Sequence, residues 1–149
     1  MYGYLVHRCG DPAVAEDLTS ETFLAAVDAL NRDAVPDLTI GWLVGVARHK
    51  LVDHWRRRER DHRRLTAIAG GRNESVDPWV EVIDILRVRD LLERLGAHHR
   101  SALTLRYLDG LSVPETAAVL ARTVDATEAL LVRARRALRA LYEGSDDGD

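Results

Sequence analysis

Leu43, Ala47, Leu51 and Trp55 recur at strict four-residue spacing, and no other feature of the chain constrains its fold as tightly. A four-residue recurrence places apolar side chains on one face of an α-helix and is incompatible with the two-residue alternation of a half-buried strand. The other face of the same segment carries His49, Asp53, Arg56, Arg57 and Arg60, so the predicted helix is amphipathic and turns basic towards its end. Helical spacing recurs elsewhere. Asp11-Pro12 predicts a helix start, because an aspartate can cap the orphan amides and a proline suits the first turn. After it, Val14, Leu18, Phe23, Val27 and Leu30 lie roughly on one side. Asn31 to Thr39, with Pro36, breaks the pattern and reads as a loop before a second helix near Ile40 or Gly41. Ile83, Leu86, Leu91, Leu92 and Leu95, then Ala102, Leu103, Leu105 and Leu108, resume the period, and Asp109-Gly110 predicts a turn. No strand-period segment of any length occurs.

Composition supports the same class. Apolar residues make up 46% of 149 residues, mostly Ala, Leu and Val with a single Phe, a mixture that suits helix packing better than a β-sandwich. The expected fold is all-α: two small helical domains joined by a flexible linker. The weak, glycine-bearing stretch with Gly70-Gly71, Arg72-Asn73-Glu74-Ser75 and Asp77-Pro78 reads as that linker. The expected boundaries are 1–64 for the first domain, 65–83 for the linker, 84–142 for the second domain and 143–149 for an acidic disordered tail. Trp79 within the linker is read either as an anchor on a neighbouring surface or as a residue packed on the next helix.

The net charge of −3 hides an uneven distribution. Asp11, Glu16, Asp17, Glu21, Asp28, Asp33 and Asp37 face a lone Arg32, whereas Arg48, Lys50, Arg56, Arg57, Arg58, Arg60, Arg63 and Arg64 make the next stretch basic. This pattern predicts one acidic, protein-facing surface and one surface that faces a polyanion. Cys9 is the only cysteine, which excludes an internal disulfide and fits a reducing compartment. With no apolar run near transmembrane length and no signal-peptide pattern, a cytoplasmic protein without membrane insertion is expected. His7-Arg8-Cys9 and His98-His99 are isolated pairs without a second pair at ligand spacing, so no metal is expected. No glycine-rich phosphate loop, nucleophile elbow or paired-carboxylate setting is present, so neither an enzyme nor a cofactor is expected.

The segment from Leu111 to Leu141 carries the most functional information. Ser112-Val113-Pro114-Glu115 is a capping box, with Ser112 capping a helix and Glu115 reaching back. Thr116, Ala117, Val119 and Leu120 supply a short buried face. A break at Ala121 to Val124 precedes a longer helix with Ala126, Leu130, Leu131, Ala134 and Leu138. Short helix, turn and longer helix make a helix-turn-helix, and Arg133, Arg135, Arg136 and Arg139 on the second helix can reach phosphates or base edges.

Asp109-Gly110-Leu111-Ser112, Glu115, Ala117-Ala118-Val119-Leu120 and Arg133-Ala134-Arg135-Arg136-Ala137-Leu138 together resemble region four of sigma-70 family transcription factors, in particular the extracytoplasmic-function (ECF) type. The amino-terminal half resembles region two through Asp11-Pro12, Ala15-Glu16-Asp17-Leu18 and Glu21-Thr22-Phe23-Leu24-Ala25. Trp42 to Arg48 and Leu51 to Arg58 resemble its promoter-melting, minus-ten-reading helix. The resemblance covers nearly the whole chain in the right order. It implies a factor that directs core RNA polymerase to promoter DNA. Polymerase binding would fall to Asp17, Leu18, Glu21 and Phe23, with at least one of Leu18 and Phe23 expected in the core. Minus-ten contacts would fall to Arg48, His49, Asp53, Arg56 and Arg57, and minus-thirty-five contacts to Glu128, Arg133 and Arg136. Trp55 could stack on a base, although its place in the apolar stripe favours the core. Factors of this type are commonly held by an anti-sigma protein, so such a partner is also implied.

The chain departs from the pattern in three places. Relatives usually carry a further turn or more of helix ahead of Tyr2-Gly3-Tyr4-Leu5. Ser20 stands for a common glutamine. Ala121, Glu128, Ala129 and Leu130 stand where many relatives have glycine and then basic or small polar residues, so the distal contact rests mainly on Arg133 and Arg136. Glu128 can accept a hydrogen bond from cytosine or, with Asp125, serve the helix start. Two other readings remain at this level: a stand-alone helix-turn-helix regulator, and a degenerate sigma-like module that binds partners without reading promoters.

Overall fold

The computed structural model describes residues 1–35, 37–69 and 83–146, with side chains described over 1–35, 37–65 and 87–145. Pro36 and the stretch that holds Gly70-Gly71, Asp77-Pro78 and Trp79 lie outside the described residues, as do the last three residues of the expected tail. Among the described residues the chain is helical with no strand. Its helices are α1 (Tyr2–Cys9), α2 (Pro12–Asn31), α3 (Ile40–Ala69), α4 (Ile83–Arg94), α5 (Ala97–Leu103), α6 (Val113–Leu120) and α7 (Val124–Asp146). The chain divides into two compact units, Met1–Trp55 and Arg56–Asp149.

In the first unit, Gly10 ends α1 at φ 74, a left-handed conformation that glycine adopts without a Cβ penalty, and its amide donates to the Val6 carbonyl at 3.0 Å. Asp11 then caps α2, its carboxylate accepting from the Ala13 amide at 2.9 Å, with Pro12 in the first turn. This is the start that Asp11-Pro12 predicts. The packed face of α2 differs from expectation. Ala15, Leu18, Thr22 and Ala26 are buried, whereas Phe23, Val27 and Leu30 point outward. The i, i+3, i+7, i+11 row of mostly small residues lets α1 and α2 approach closely, and the larger apolar side chains take the opposite side. On α3, Ala47, Leu51, Val52 and Trp55 are buried, which settles Trp55 as a core residue, while Leu43 at the head of the stripe is only partly buried. The helix continues to Ala69, so residues 65–69, expected in the linker, are helical.

In the second unit, α4, α5 and α7 share a core of Leu92, Leu103 and Ala134, with Leu95 and Leu138 packed against it. The expected continuous helix from Ala102 to Leu108 changes pitch. Thr104–Leu108 is π-helical, with the Asp109 amide donating to the Thr104 carbonyl at 3.0 Å. Gly110 at φ 69 then turns the chain, and Arg106 holds the turn through the Leu111 carbonyl at 3.2 Å. At its far end α7 runs through Glu143–Asp146, part of the expected tail, with the Ser145 hydroxyl bonded back to the Leu141 carbonyl at 2.8 Å. Stacking of the Arg87 guanidinium 4.6 Å from the Tyr142 ring centroid ties down this last stretch. Among the described residues, no helix is long and apolar enough to cross a membrane.

Candidate docking ridge and nucleic-acid interface

The outward side of α2 follows directly from the row of small residues on its inner side. With Ala15, Leu18, Thr22 and Ala26 turned in, Phe23 (49% exposed), Leu24 (67%), Val27 and Leu30 form an apolar ridge in solvent. Single exposed apolar residues are ordinary, but four on one helix face mark a surface shaped for a protein partner. Exposed Asp17 and Asp28 and half-buried Glu21 flank it, and Glu21 is paired with Lys50 of α3 at 4.0 Å. Of the four residues expected to bind polymerase, Asp17, Glu21 and Phe23 therefore lie at or beside the ridge. Leu18 does not: it is 2% exposed and packs in the unit's core, where the inward row of α2 places it. Leu24, Val27 and Leu30 also belong to the ridge, although none was expected to bind polymerase. The period of the large residues groups Phe23, Val27 and Leu30, and the buried row of Ala15, Thr22 and Ala26 shows that this group faces outward.

On α3, His49 and Asp53 are exposed at four-residue spacing, and Arg48 is partly buried beside them in sequence. In the second unit, Arg57 is exposed. Arg56 is partly buried, and its guanidinium donates to the Leu120 carbonyl at 3.2 Å. Leu120 ends α6, where carbonyls lack intrahelical partners, so Arg56 satisfies an orphan acceptor of the helix-turn-helix.

The helix-turn-helix itself is α6 and α7. The capping box is present in full: the Ser112 hydroxyl accepts from the Glu115 amide at 3.2 Å, and the Glu115 carboxylate accepts from the Ser112 amide at 3.3 Å. Thr116, Ala117 and Leu120 are buried as expected, and Val119 is partly so. Ala121 ends α6 at φ 54, in the left-handed region, and the Arg122 amide returns to the Ala117 carbonyl at 3.0 Å. Thr123, not Asp125, caps α7: its hydroxyl accepts from the Ala126 amide at 3.1 Å. The expected partnership of Glu128 with Asp125 at the helix start is thereby displaced, because with Thr123 as cap Glu128 lies beyond the first turn.

The buried residues of α7 are Thr127, Leu130, Leu131 and Ala134. Glu128, Arg133 and Arg136, the three expected contacts, are all exposed. Arg135 donates to the Tyr107 hydroxyl at 2.7 Å, a cross-helix pair that no sequence pattern announced. His98 of α5 lies 3.4 Å from the Arg122 guanidinium. Its pKa is lowered by partial burial, then by the charges of Arg122 and Arg56. Glu59 works in the opposite sense, and Arg63 adds to the lowering. Arg122 of the turn and Arg56 and Arg63 of α3 thus make the surroundings of His98 rich in arginine.

Comparison with known proteins assigns both units. Residues 1–61 match the family model of sigma-70 region 2, and residues 85–138 match that of sigma-70, region 4. The chain is 35% identical over 149 residues to the ECF RNA polymerase sigma factor BldN of Streptomyces coelicolor, covering 95% of this chain and 55% of BldN. It is 34% identical over 142 residues to the ECF RNA polymerase sigma factor SigC of Mycobacterium tuberculosis, covering 91% of this chain and 74% of SigC. The chain thus spans little more than half the length of the first of these relatives and about three quarters of the second. The solved structure of CnrH, a sigma factor of Cupriavidus metallidurans, in complex with the cytosolic domain of CnrY aligns at a TM-score of 0.57. That alignment has 28% identity over 96% of this chain and 88% of the other. With both region models matched in order and relatives above 30% identity along most of their length, the chain belongs to the ECF group of the sigma-70 family, the RNA polymerase sigma factors that direct transcription to promoters.

Proposed function

We propose that the chain docks on core RNA polymerase through the α2 ridge of Phe23, Leu24, Val27 and Leu30 with Asp17 and Glu21 beside it. The opened minus-ten strand then falls to Arg48, His49, Asp53 and Arg57, with Arg56 kept in its structural role at the end of α6. The minus-thirty-five element falls to the α6–α7 helix-turn-helix, where Arg133 and Arg136 hold phosphates and Glu128 faces the bases. The domain bounds that accompany this reading are 1–64 and 84–142, with residues 65–83 connecting them. The protein works without catalytic chemistry of its own, in the cytoplasm with the polymerase. A regulatory partner that holds the factor is part of the same reading, supported by the capture of the relative CnrH with a partner's cytosolic domain.

One observation carries the DNA-reading half: Glu128, Arg133 and Arg136 are exposed while Leu130, Leu131 and Ala134 anchor the other side of α7 to the core. Such a helix is held rigidly and presents a charged face of the width a major groove admits. The test is run-off transcription with core polymerase on genomic promoters, comparing the full chain with its Arg133→Glu, Arg136→Glu double variant. Transcription that depends on the added chain, reduced at least about tenfold by the double variant, is the expected result. Tight sequence-specific binding by the chain alone, with no association with core polymerase, would return the stand-alone regulator. Full activity in the double variant would favour a module that does not read the distal element.

A further inference from the structure

The first turns of α7 expose Asp125, Glu128, Ala129, Val132, Arg133 and Arg136. These positions follow i, i+3, i+4, i+7, i+8 and i+11, a single helical face. Along that face the chemistry is graded: carboxylates at the front, two aliphatic side chains in the middle, arginines behind. Val132 is 46% exposed, whereas Leu130, Leu131 and Ala134 of the same helix are buried, so Val132 lies off the core face. Nor does Glu128 serve the helix end. Thr123 fills the cap and Asp125 the first turn, and the influence of the helix dipole fades beyond that turn.

A carboxylate lying along a phosphate chain is repelled, so Glu128 gains in a major groove only where it accepts a hydrogen bond from a base. Cytosine presents its N4 amino group there as a donor. Adenine presents a donor beside the N7 acceptor, which opposes a carboxylate. Ala129 and Val132 have only C–H surface to offer, and the apolar group of the major groove is the thymine methyl. Along the axis, Glu128 and Val132 stand about 6 Å apart, at 1.5 Å per residue. Base pairs rise about 3.4 Å each, so the two side chains reach positions about two steps apart.

We infer that Glu128, Ala129 and Val132 are the specificity-determining residues for the upstream promoter element, reading a cytosine through Glu128 and thymine methyls within about two base pairs of it. Arg133 and Arg136 clamp the flanking phosphates. This rests on the reading of α6–α7 as the minus-thirty-five binder, and the test separates the two. The full chain is combined with core polymerase and offered duplexes randomised across the upstream element, and bound sequences are counted. The unaltered chain enriches a C·G pair with T·A pairs within two steps. Glu128→Gln moves the preference at one position from cytosine to adenine, which a glutamine amide pairs bidentately, with a change in discrimination of about tenfold. Replacing thymine by deoxyuridine in the selected site weakens binding for the unaltered chain and not for Val132→Gly, Ala129→Gly, whose helix content is checked by circular dichroism. Unchanged selection by Glu128→Gln overturns the inference. If Arg133→Glu, Arg136→Glu nevertheless loses binding on all sequences, the helix-turn-helix reading stands without it. If that variant also selects normally, both fall.

Discussion

Ala121 occupies the left-handed region at φ 54 in the turn of the helix-turn-helix, where its Cβ crowds the following carbonyl. That conformation costs an L residue about 1–2 kcal/mol relative to glycine, whereas a glycine gives up about 0.5–1 kcal/mol through the freedom it adds to the unfolded chain. The first term is larger, so Ala121→Gly is expected to raise stability by about 0.5–1 kcal/mol, read from the denaturant midpoint at unchanged slope. Close to this turn, His98 makes stability depend on pH. Its folded pKa lies below the unfolded value of 6.5, because of burial first and the Arg122 charge second. Above that value the ring is neutral in both states. As pH falls below it, the unfolded chain binds the proton first and stability is lost, until the lowered folded pKa is passed. Melting temperatures measured between pH 5 and 7 should therefore fall less in His98→Gln than in the parent. Equal slopes would show that His98 binds its proton alike in the folded and unfolded chain.

The exposed ridge of α2 and its buried row give opposite expectations for substitutions on one helix. Phe23→Ser, or Val27→Ser, removes ridge surface already in water and should leave the unfolding midpoint within a small margin, yet weaken binding to core polymerase about tenfold or more. Leu18→Ala hollows the core and should cost about 2–5 kcal/mol of stability. Pull-down with core polymerase beside chemical denaturation separates the two effects, and a loss of stability in Phe23→Ser equal to that of Leu18→Ala would contradict the assignment of faces. The same helix shows where reading the sequence succeeds and where it stops. The starts of α2 and α6 are legible because Asp11 and Ser112 act within their own turn, and Ala47, Leu51 and Trp55 are legible because their face is uniform. On α2 most of the large apolar residues occupy the exposed side, and Leu18 shares the buried side with Ala15, Thr22 and Ala26, so a hydropathy pattern selects the wrong face. The π-helical stretch at Thr104–Leu108 and the Arg135–Tyr107 bond have no local signal at all. Both depend on residues brought together from different helices or on how α5 must turn to meet α6. The exposure of Glu128, Arg133 and Arg136 is legible because each is a charge on the polar side of a periodic helix. The bond of Arg56 to the Leu120 carbonyl has no local signal, because its acceptor is 64 residues away.

At the scale of the whole molecule, the net charge of −3 sets the conditions under which any of these contacts can act. The acidic residues between Asp11 and Asp37 oppose approach to a polyanion, while the arginines of α3 and α7 favour it. At physiological ionic strength the Debye length is about 8 Å, so each cluster is felt only over its own neighbourhood, and the negative total neither blocks local contacts nor adds to them. If α6 and α7 bind DNA as proposed, a free chain rests on the few phosphates they reach, which corresponds to weak binding of about 10⁻⁴–10⁻⁶ M. On the proposed reading, docking on core polymerase covers the α2 ridge, fixes the chain beside the duplex and adds the polymerase's own contacts. The expected result is weak, salt-sensitive binding of a promoter duplex by the free chain and much tighter binding by the complex with core. In that complex, Arg133→Gln and Arg136→Gln should each lower the slope of log K against log salt by about 0.9 and weaken all sequences alike, because a phosphate contact carries no base information. Glu128→Gln should leave that slope unchanged, since a carboxylate facing a base releases no counterion. A slope unaltered by loss of either arginine would mean that α7 does not lie along the backbone. The exposed face of that helix would then need a protein partner rather than DNA.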